Sequence, residues 1–323
     1  MCYNFSARGL FLADQLGVFK EQIMDALRQR WLDAIGQIEK EADYGKTELI
    51  KKVAFEEFDA EFYTQNNGDG RAQRTLMLFP KSLEGRAPAI AIPFYFPDAL
   101  LARDLETGEE LEYYKGIEMM LHLVRRGYVV ASAEAYHLTY IDSDKERGDF
   151  TRWQDAADAL RKAHPNYSGV GKLIDDTKLL IDLLASDERV DSEKIGIAGH
   201  SLGGKMAFYT GCLDERVRAI LASDFGIGWH QTNWHNDWYW GEDSKRLEAE
   251  GFDHSQLLTL AQKPFCLIAG LYDTDESLEI MLRAEGYSEN DERLEFINHA
   301  TGHRPPMWAL DRGYDFLDKW LKK

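Results

Sequence analysis

From Ala89 to the C-terminus the chain alternates two kinds of segment, and that alternation leaves few folds open to it. Short, nearly continuous apolar runs occur at Ala89–Tyr95, Tyr128–Ala133, Lys194–Ala198, Arg218–Ser223, Phe265–Ala269 and Leu294–Ile297. Between them lie segments of helical character: Tyr113–Arg126, closed by Gly127, then Lys172–Leu184, Leu202–Cys212, a stretch near Ser277–Glu285, and the tail from about Trp308. Strands that are apolar on both faces must be covered on both faces, and helices between them supply the cover, so the sheet they form is parallel and doubly wound. Upstream, two strand-like runs at about 50–64 and 72–80 flank Asn66-Asn67-Gly68-Asp69-Gly70, a tight-turn sequence because Asn and Gly tolerate positive φ. The expected class is therefore α/β: a mostly parallel, doubly wound sheet preceded by an antiparallel hairpin.

Residues 11–42 carry Leu12, Leu16, Phe19, Ile23, Leu27, Trp31, Ile35 and Ile38 at spacings of three or four, which predicts a helix with one apolar stripe. The domain reading is an N-terminal helical extension over 1–48 and one α/β domain over 49–323. Two stretches near 134–167 and 224–256 fit neither period and are expected to be loop insertions of the functional kind. No Pro- or Gly-rich linker divides the 323 residues.

Gly199-His200-Ser201-Leu202-Gly203 has the form G-x-S-x-G, with a strand-like run before it and a helix-like run after it. Such a chain must turn sharply from strand to helix with the serine at the apex, which leaves no room for side chains two positions to either side. The serine then stands above the carboxyl edge of the sheet, at a helix N-terminus where free N–H groups favour negative charge. Gly199 to Lys205 also fits the opening of a phosphate-binding loop, but Met206 stands where that loop needs a hydroxyl for Mg²⁺.

A serine hydroxyl needs a base within hydrogen-bond reach, and the base needs an orienting carboxylate. In a strand–elbow–helix chain the order is serine, acid, histidine. Past the run Phe265–Ala269 lie Asp273 and Asp275, and past Arg218–Ser223 lies Asp224; Asp273 is the expected acid, with Asp275 and then Asp224 behind it. His303, after Gly302 and before the final helix, is the expected base, with His299 as its rival. An oxyanion hole takes the N–H of Leu202 and a second amide from the end of Ala89–Tyr95, supplied by Phe94 or Tyr95 because Pro93 has none.

The run Val190–Gly204 resembles the elbow region of the α/β-hydrolase superfamily, and more closely its dienelactone hydrolase and acetyl xylan esterase (cephalosporin deacetylase) branches, over roughly residues 50–323. The resemblance implies Ser201, Asp273 and His303 as a triad. The esterase branch often carries His-Gly-Tyr at the end of its third strand, with the tyrosine amide in the oxyanion hole. Here the run is Pro93-Phe94-Tyr95, so only the tyrosine matches.

Trp229, Trp234, Trp238, Tyr239 and Trp240 crowd one insertion, with His230 and His235 among them. Rings of this kind either wall a pocket for flat substrate faces or pack the loop on the core. Phe94, His200, Trp229, Trp234 and Trp238 are the expected substrate-binding residues, and Glu134, Tyr136 and His137 are further candidates at another strand end. The formal net charge of −18 opposes nucleic acid and anionic membrane surfaces. Cys2, Cys212 and Cys266 are too few and scattered for a disulfide framework or a zinc site. No apolar h-region follows the N-terminus, which points to the cytoplasm. The reading is a serine esterase acting on small acyl or acetyl esters, with a sugar ester as one expectation. It needs a small-molecule ester as partner and no metal or organic cofactor. The rivals are a peptidase, thioesterase or dienelactone-type hydrolase on the same residues, or a binding protein that keeps the fold without the chemistry.

Overall fold

The computed structural model describes residues 7–323; Cys2 and the sequon Asn4-Phe5-Ser6 lie outside them. Helix α1 (Ala7–Ile35) leads into three antiparallel strands, β1 (Thr47–Ala54), β2 (Phe58–Gly68) and β3 (Arg71–Pro80). The βα series follows: β4 (Ala87–Ala91), α2 (Met119–Arg125), β5 (Val129–Ala133), α3 (Tyr136–Thr139), α4 (Phe150–Ala163), α5 (Gly169–Ser186), β6 (Val190–His200), α6 (Leu202–Leu213) and β7 (Val217–Ser223). It ends with α7 (Asp243–Ala249), α8 (Ser255–Ala261), β8 (Phe265–Ala269), α9 (Asp275–Leu282), β9 (Leu294–Asn298) and α10 (Met307–Leu321). The nine strands form one sheet in the order β1-β2-β3-β5-β4-β6-β7-β8-β9, antiparallel as far as β5 and parallel from there on. This is the mixed, doubly wound sheet expected from the alternation of segments. All five residues of β5 and of β8 are buried, as strands covered on both faces must be.

The departures have local causes. The run at 50–64 is two strands, β1 and β2, not one: after Ala54 the chain reverses, and the Phe55 amide donates to the Phe58 carbonyl. The tight turn falls where the Asn-Gly-rich sequence placed it, with Gly68, Asp69 and Gly70 all at positive φ. Helix α1 stops at Ile35 and does not run to 42. Gly36 takes φ +80° there, and a Cβ at that position would sit 1.9 Å from the Asn166 carbonyl oxygen, a close approach that only glycine allows. Along the described side chains of α1, Trp31 and Ile35 are buried whereas Phe19 and Ile23 are exposed, so the C-terminal end of the helix joins the core.

Both expected loop insertions contain helix. In α4 the buried residues are Trp153, Ala156, Ala157 and Leu160, an i, i+3, i+4, i+7 stripe, and the Asp149 side chain caps its start by accepting from the Thr151 amide at 2.8 Å. The second insertion holds α7 and the start of α8. Among the described residues no helix is long and apolar enough to cross a membrane, and no group of three or more His, Cys, Asp or Glu side chains is gathered as a metal site.

Candidate active site

The parallel strands bring the ends of β4, β5, β6, β7 and β8 to one edge, and Ser201 stands there between β6 and α6. Its backbone is at φ +57°, ψ −117°, a conformation that side-chain-bearing residues rarely adopt and that costs on the order of 1–3 kcal/mol. The surrounding turn holds it: the Ser201 amide donates to the Ser223 carbonyl at 2.8 Å. A Cβ on Gly199 would lie 2.1 Å from the Gly203 oxygen, and one on Gly203 would lie 2.2 Å from the Pro93 oxygen. The glycines of G-x-S-x-G are thus required by two backbone contacts, one within the turn and one to the segment after β4.

The Ser201 hydroxyl donates to His303 Nε2 at 2.9 Å, and His303 Nδ1 donates to Asp224 Oδ2 at 2.6 Å. His303 comes from the loop after β9, as the sequence indicated. The acid does not come from the expected place: Asp224, the first residue after β7, occupies it, in place of Asp273. Asp224 lies at φ +41° and is fully buried. Its second oxygen, Oδ1, accepts from the amides of Gly270, Leu271, Tyr272 and Asp273 at 2.9–3.1 Å. Burial pushes its carboxyl up, but the His303 hydrogen bond and these amides outweigh burial and hold it below the usual range.

Asp273 cannot serve His303 because both of its oxygens are committed elsewhere. Oδ2 accepts from the amides of Phe225 and Gly226 (2.8 and 2.9 Å), and Oδ1 accepts from the Ile227 amide (2.7 Å) and the Ser277 hydroxyl (3.0 Å). Burial raises its carboxyl above the ordinary value despite those donors. Asp275 opens α9 and accepts from the Asn298 side chain at 2.8 Å. His299 packs beside Gly270 with its Nδ1 on the Thr301 hydroxyl (2.8 Å), and the Ser201 hydroxyl bonds to His303 rather than to this rival.

His200 is not a pocket residue. It is buried behind the base, its ring centroid 4.5 Å from that of His303 and its Nδ1 on the Ser223 hydroxyl (3.1 Å). Burial lowers it to about 3, so it meets His303 as a neutral ring. Tyr272 closes the other side, edge-on at 4.8 Å. Lys205, the residue that invited a phosphate-loop reading, is buried with its Nζ on the Phe225 carbonyl (2.5 Å) and over the Trp234 ring (4.4 Å), which leaves no ammonium for a nucleotide.

Leu202 is the first residue of α6, and the segment Pro93-Phe94-Tyr95 lies across that first turn. Phe94 is buried there and packs edge-on against Tyr95 (4.7 Å), whereas Tyr95 itself is part-exposed. The aromatic insertion divides. Trp234 is buried and stacks on His254 (5.0 Å), so it is core and not pocket wall; Trp229 tilts over the same histidine at 4.4 Å and donates to the Phe252 carbonyl. Trp238 is also buried, but it stacks on exposed Phe150 (5.8 Å) and meets Trp153 edge-on (5.6 Å), joining the insertion to α4. Trp153 in turn stacks on Tyr95 (5.0 Å). Sequence reading overlooked Trp153 because the polar face of α4 hid its stripe. Tyr136 donates to the Trp238 carbonyl, His137 is buried against Trp153, and Glu134 pairs with Arg74 and Arg147 at 3.5 Å each.

Residues 111–231 match the dienelactone hydrolase family, a stretch that includes Ser201 and Asp224 but ends before His303. YtaP of Bacillus subtilis (strain 168), a protein named as a hydrolase, is 24% identical over 171 residues, 47% of this chain and 54% of its own length. The chain therefore spans about half the length of the curated relative it matches. Among solved structures, a candidate acetyl xylan esterase of Bacteroides fragilis NCTC 9343 superposes with a TM-score of 0.67 at 16% identity, over 92% of this chain and 82% of that one. A glucuronoyl esterase from Solibacter usitatus superposes with a TM-score of 0.66 at 13% identity, over 91% of both chains. At these identities the likeness is one of fold.

Proposed function

We propose that this chain, an α/β-hydrolase whose residues 111–231 match the dienelactone hydrolase family, is a serine-type carboxylic-ester hydrolase. One observation carries the reading: Ser201, His303 and Asp224 form a continuous hydrogen-bonded line, 2.9 Å and 2.6 Å, at the carboxyl edge of the sheet.

In this reading His303 takes the Ser201 proton as the hydroxyl attacks the ester carbonyl. Asp224 keeps the imidazole in the tautomer that leaves Nε2 free to accept, and it stabilises the imidazolium once formed. The tetrahedral oxyanion rests on the Leu202 amide at the start of α6, with a second amide from Phe94 or Tyr95. His303 then returns the proton to the leaving alcohol, and an acyl-enzyme on Ser201 remains. Water, deprotonated by the same imidazole, attacks the acyl carbon and restores the serine. Each of these steps is a proton or acyl transfer between the ester, its alcohol or water and the side chains of Ser201 and His303.

Small acyl esters, acetylated sugars among them, are the proposed substrates. The names of the structural relatives support that class. A fluorophosphonate probe reacts with an activated serine whatever the natural ester is, and so tests the chemistry directly. The expected result is a single adduct on Ser201, with a panel of short p-nitrophenyl esters hydrolysed and turnover lowered by about 10⁶ in Ser201→Ala. Folded protein that takes no adduct at Ser201 overturns the reading in favour of a binding protein. Hydrolysis of peptides or thioesters in preference to the esters moves the activity to another acyl class.

A further inference from the structure

Lys205 stands one helical turn past the nucleophile, its amide donating to the Ser201 carbonyl at 3.1 Å, and its side chain runs inward. Nζ donates to the Phe225 carbonyl (2.5 Å) and the Thr232 hydroxyl (3.3 Å) and faces the rings of Trp234 and Tyr239 at 4.4 and 5.2 Å. Any N–H or O–H donor satisfies a carbonyl, so hydrogen bonding alone does not call for a buried cation, which is costly to take out of water. Burial pulls this amine down to about 7, and the Asp273 and Asp224 charges act against that fall. The other titratable side chains packed around it are held neutral by burial: Tyr209 on α6, Tyr239 in the insertion, and His254, which shares the Trp234 ring.

The Phe225 carbonyl belongs to the same peptide group as the Gly226 N–H, and that N–H donates to Asp273 Oδ2 at 2.9 Å. Ammonium and carboxylate therefore stand at opposite ends of one peptide group, N–H···O=C–N–H···O, where each hydrogen bond polarises the next. Resting on the hydrolase reading, we propose that Lys205 is a positioning residue whose ammonium, acting through the peptide between Phe225 and Gly226, holds Asp273 as a carboxylate and so keeps Asp224 against His303. Burial and the neighbouring Asp224 charge both favour a proton on Asp273, and the ammonium opposes them. As a carboxylate, Asp273 accepts from the amides of Phe225, Gly226 and Ile227 and from the Ser277 hydroxyl. A proton there takes a lone pair at which those donors point, so residues 225–227 must draw back. Asp224, the residue before them, moves with them and loses its 2.6 Å bond to His303.

Lys205→Met keeps the apolar stem and removes the charge. Lys205→Gln keeps an N–H donor without the charge, and decides the matter if the Met variant does not fold. Two measurements are made from pH 6 to pH 9, each relative to the unaltered protein at the same pH: kcat and KM on p-nitrophenyl acetate, and the second-order rate at which a fluorophosphonate modifies Ser201. At pH 6 the proposal expects kcat and the phosphonylation rate to fall in both variants by about 10-fold to 10²-fold, the scale of a displacement of up to about 1 Å at a reacting centre, with KM little changed. The deficit should close toward pH 9. Loss of the cation raises the proton affinity of the acid it faces, alkali returns Asp273 to a carboxylate, and above about 7 the unaltered protein gives up the same charge. A Lys205→Gln variant that matches the unaltered protein at pH 6 overturns the proposal, because the hydrogen bond then suffices without the charge. A loss equal at pH 6 and pH 9 overturns it too, since packing does not titrate. If the unaltered protein neither hydrolyses the ester nor takes the probe, the hydrolase reading itself falls and this role with it; an active protein with indifferent Lys205 variants removes the Lys205 assignment alone.

Discussion

Asp224 and Asp273 each hold the other's loop. The Asp224 carboxylate gathers the amides of residues 270–273, and the Asp273 carboxylate gathers those of residues 225–227, so two adjacent strand ends are cross-braced by two buried acids. Only Asp224 has an oxygen left for His303. The two substitutions should therefore fail differently. Asp224→Asn is expected to lower kcat by about 10⁴ while the protein still melts cooperatively, because the imidazole loses its tautomer and its counter-charge. Steady-state kinetics beside thermal melting decides it, and near-normal turnover in that variant would remove Asp224 from the triad.

Asp273→Ala is expected to be chiefly a stability lesion. It leaves three buried amides without an acceptor, each worth about 1–3 kcal/mol unless water reaches it, so a loss of at least about 2 kcal/mol is expected in denaturant unfolding. Turnover of the fraction that remains folded should fall less than in Asp224→Asn. A variant as stable as the parent contradicts the cross-brace.

Gly203→Ala places a methyl where the Pro93 oxygen now stands 2.2 Å from the would-be Cβ. The Pro93 carbonyl cannot yield cheaply, since it is backbone. The segment 93–95 must move off the first turn of α6, and a displacement of about 1 Å at a reacting centre costs about 10²-fold in rate. The check is kcat/KM together with the fluorophosphonate rate: both should fall, with secondary structure by circular dichroism unchanged. Full activity shows that the contact is not needed.

Acid should unfold this protein early. His137, His200 and His254 are buried, and burial lowers each from 6.5 to about 3. The unfolded chain takes up these protons below pH 6.5 while the native state refuses them. Their contribution is therefore whole above about pH 6.5 and is lost as pH falls toward 3, at up to about 1.4 kcal/mol per pH unit for each histidine. Asp224, held low, adds a loss at still lower pH; Asp273, held high, works the other way as its proton returns. The three histidines and Asp224 against Asp273 set the direction. Thermal melts at pH 7, 6 and 5 should give steeply falling midpoints, and a midpoint at pH 5 equal to that at pH 7 would exclude the expected histidine effect.

Local chemistry made the fold class and half of the site legible in the sequence. Continuous apolar runs require cover on both faces, and Gly199 and Gly203 around Ser201 suit only a bend too tight for a Cβ, so the sheet, the elbow and the loop bearing His303 could be read from the order of residues alone. What remained hidden were relations between residues far apart along the chain. Asp224, Asp273 and Asp275 all follow strand ends with equal chemical credentials; which one meets His303 depends on which carboxylate the neighbouring amides consume, and residues 225–227 and 270–273 become neighbours only once β7 and β8 pair. The same holds for His200 and Trp234, polar-tipped or aromatic residues beside a motif, whose burial was decided by the rings packed over them. The order of residues determined which groups could do the chemistry; tertiary packing decided which of them were free to do it, because a buried hydrogen-bonding group is committed to whatever partner the fold places against it.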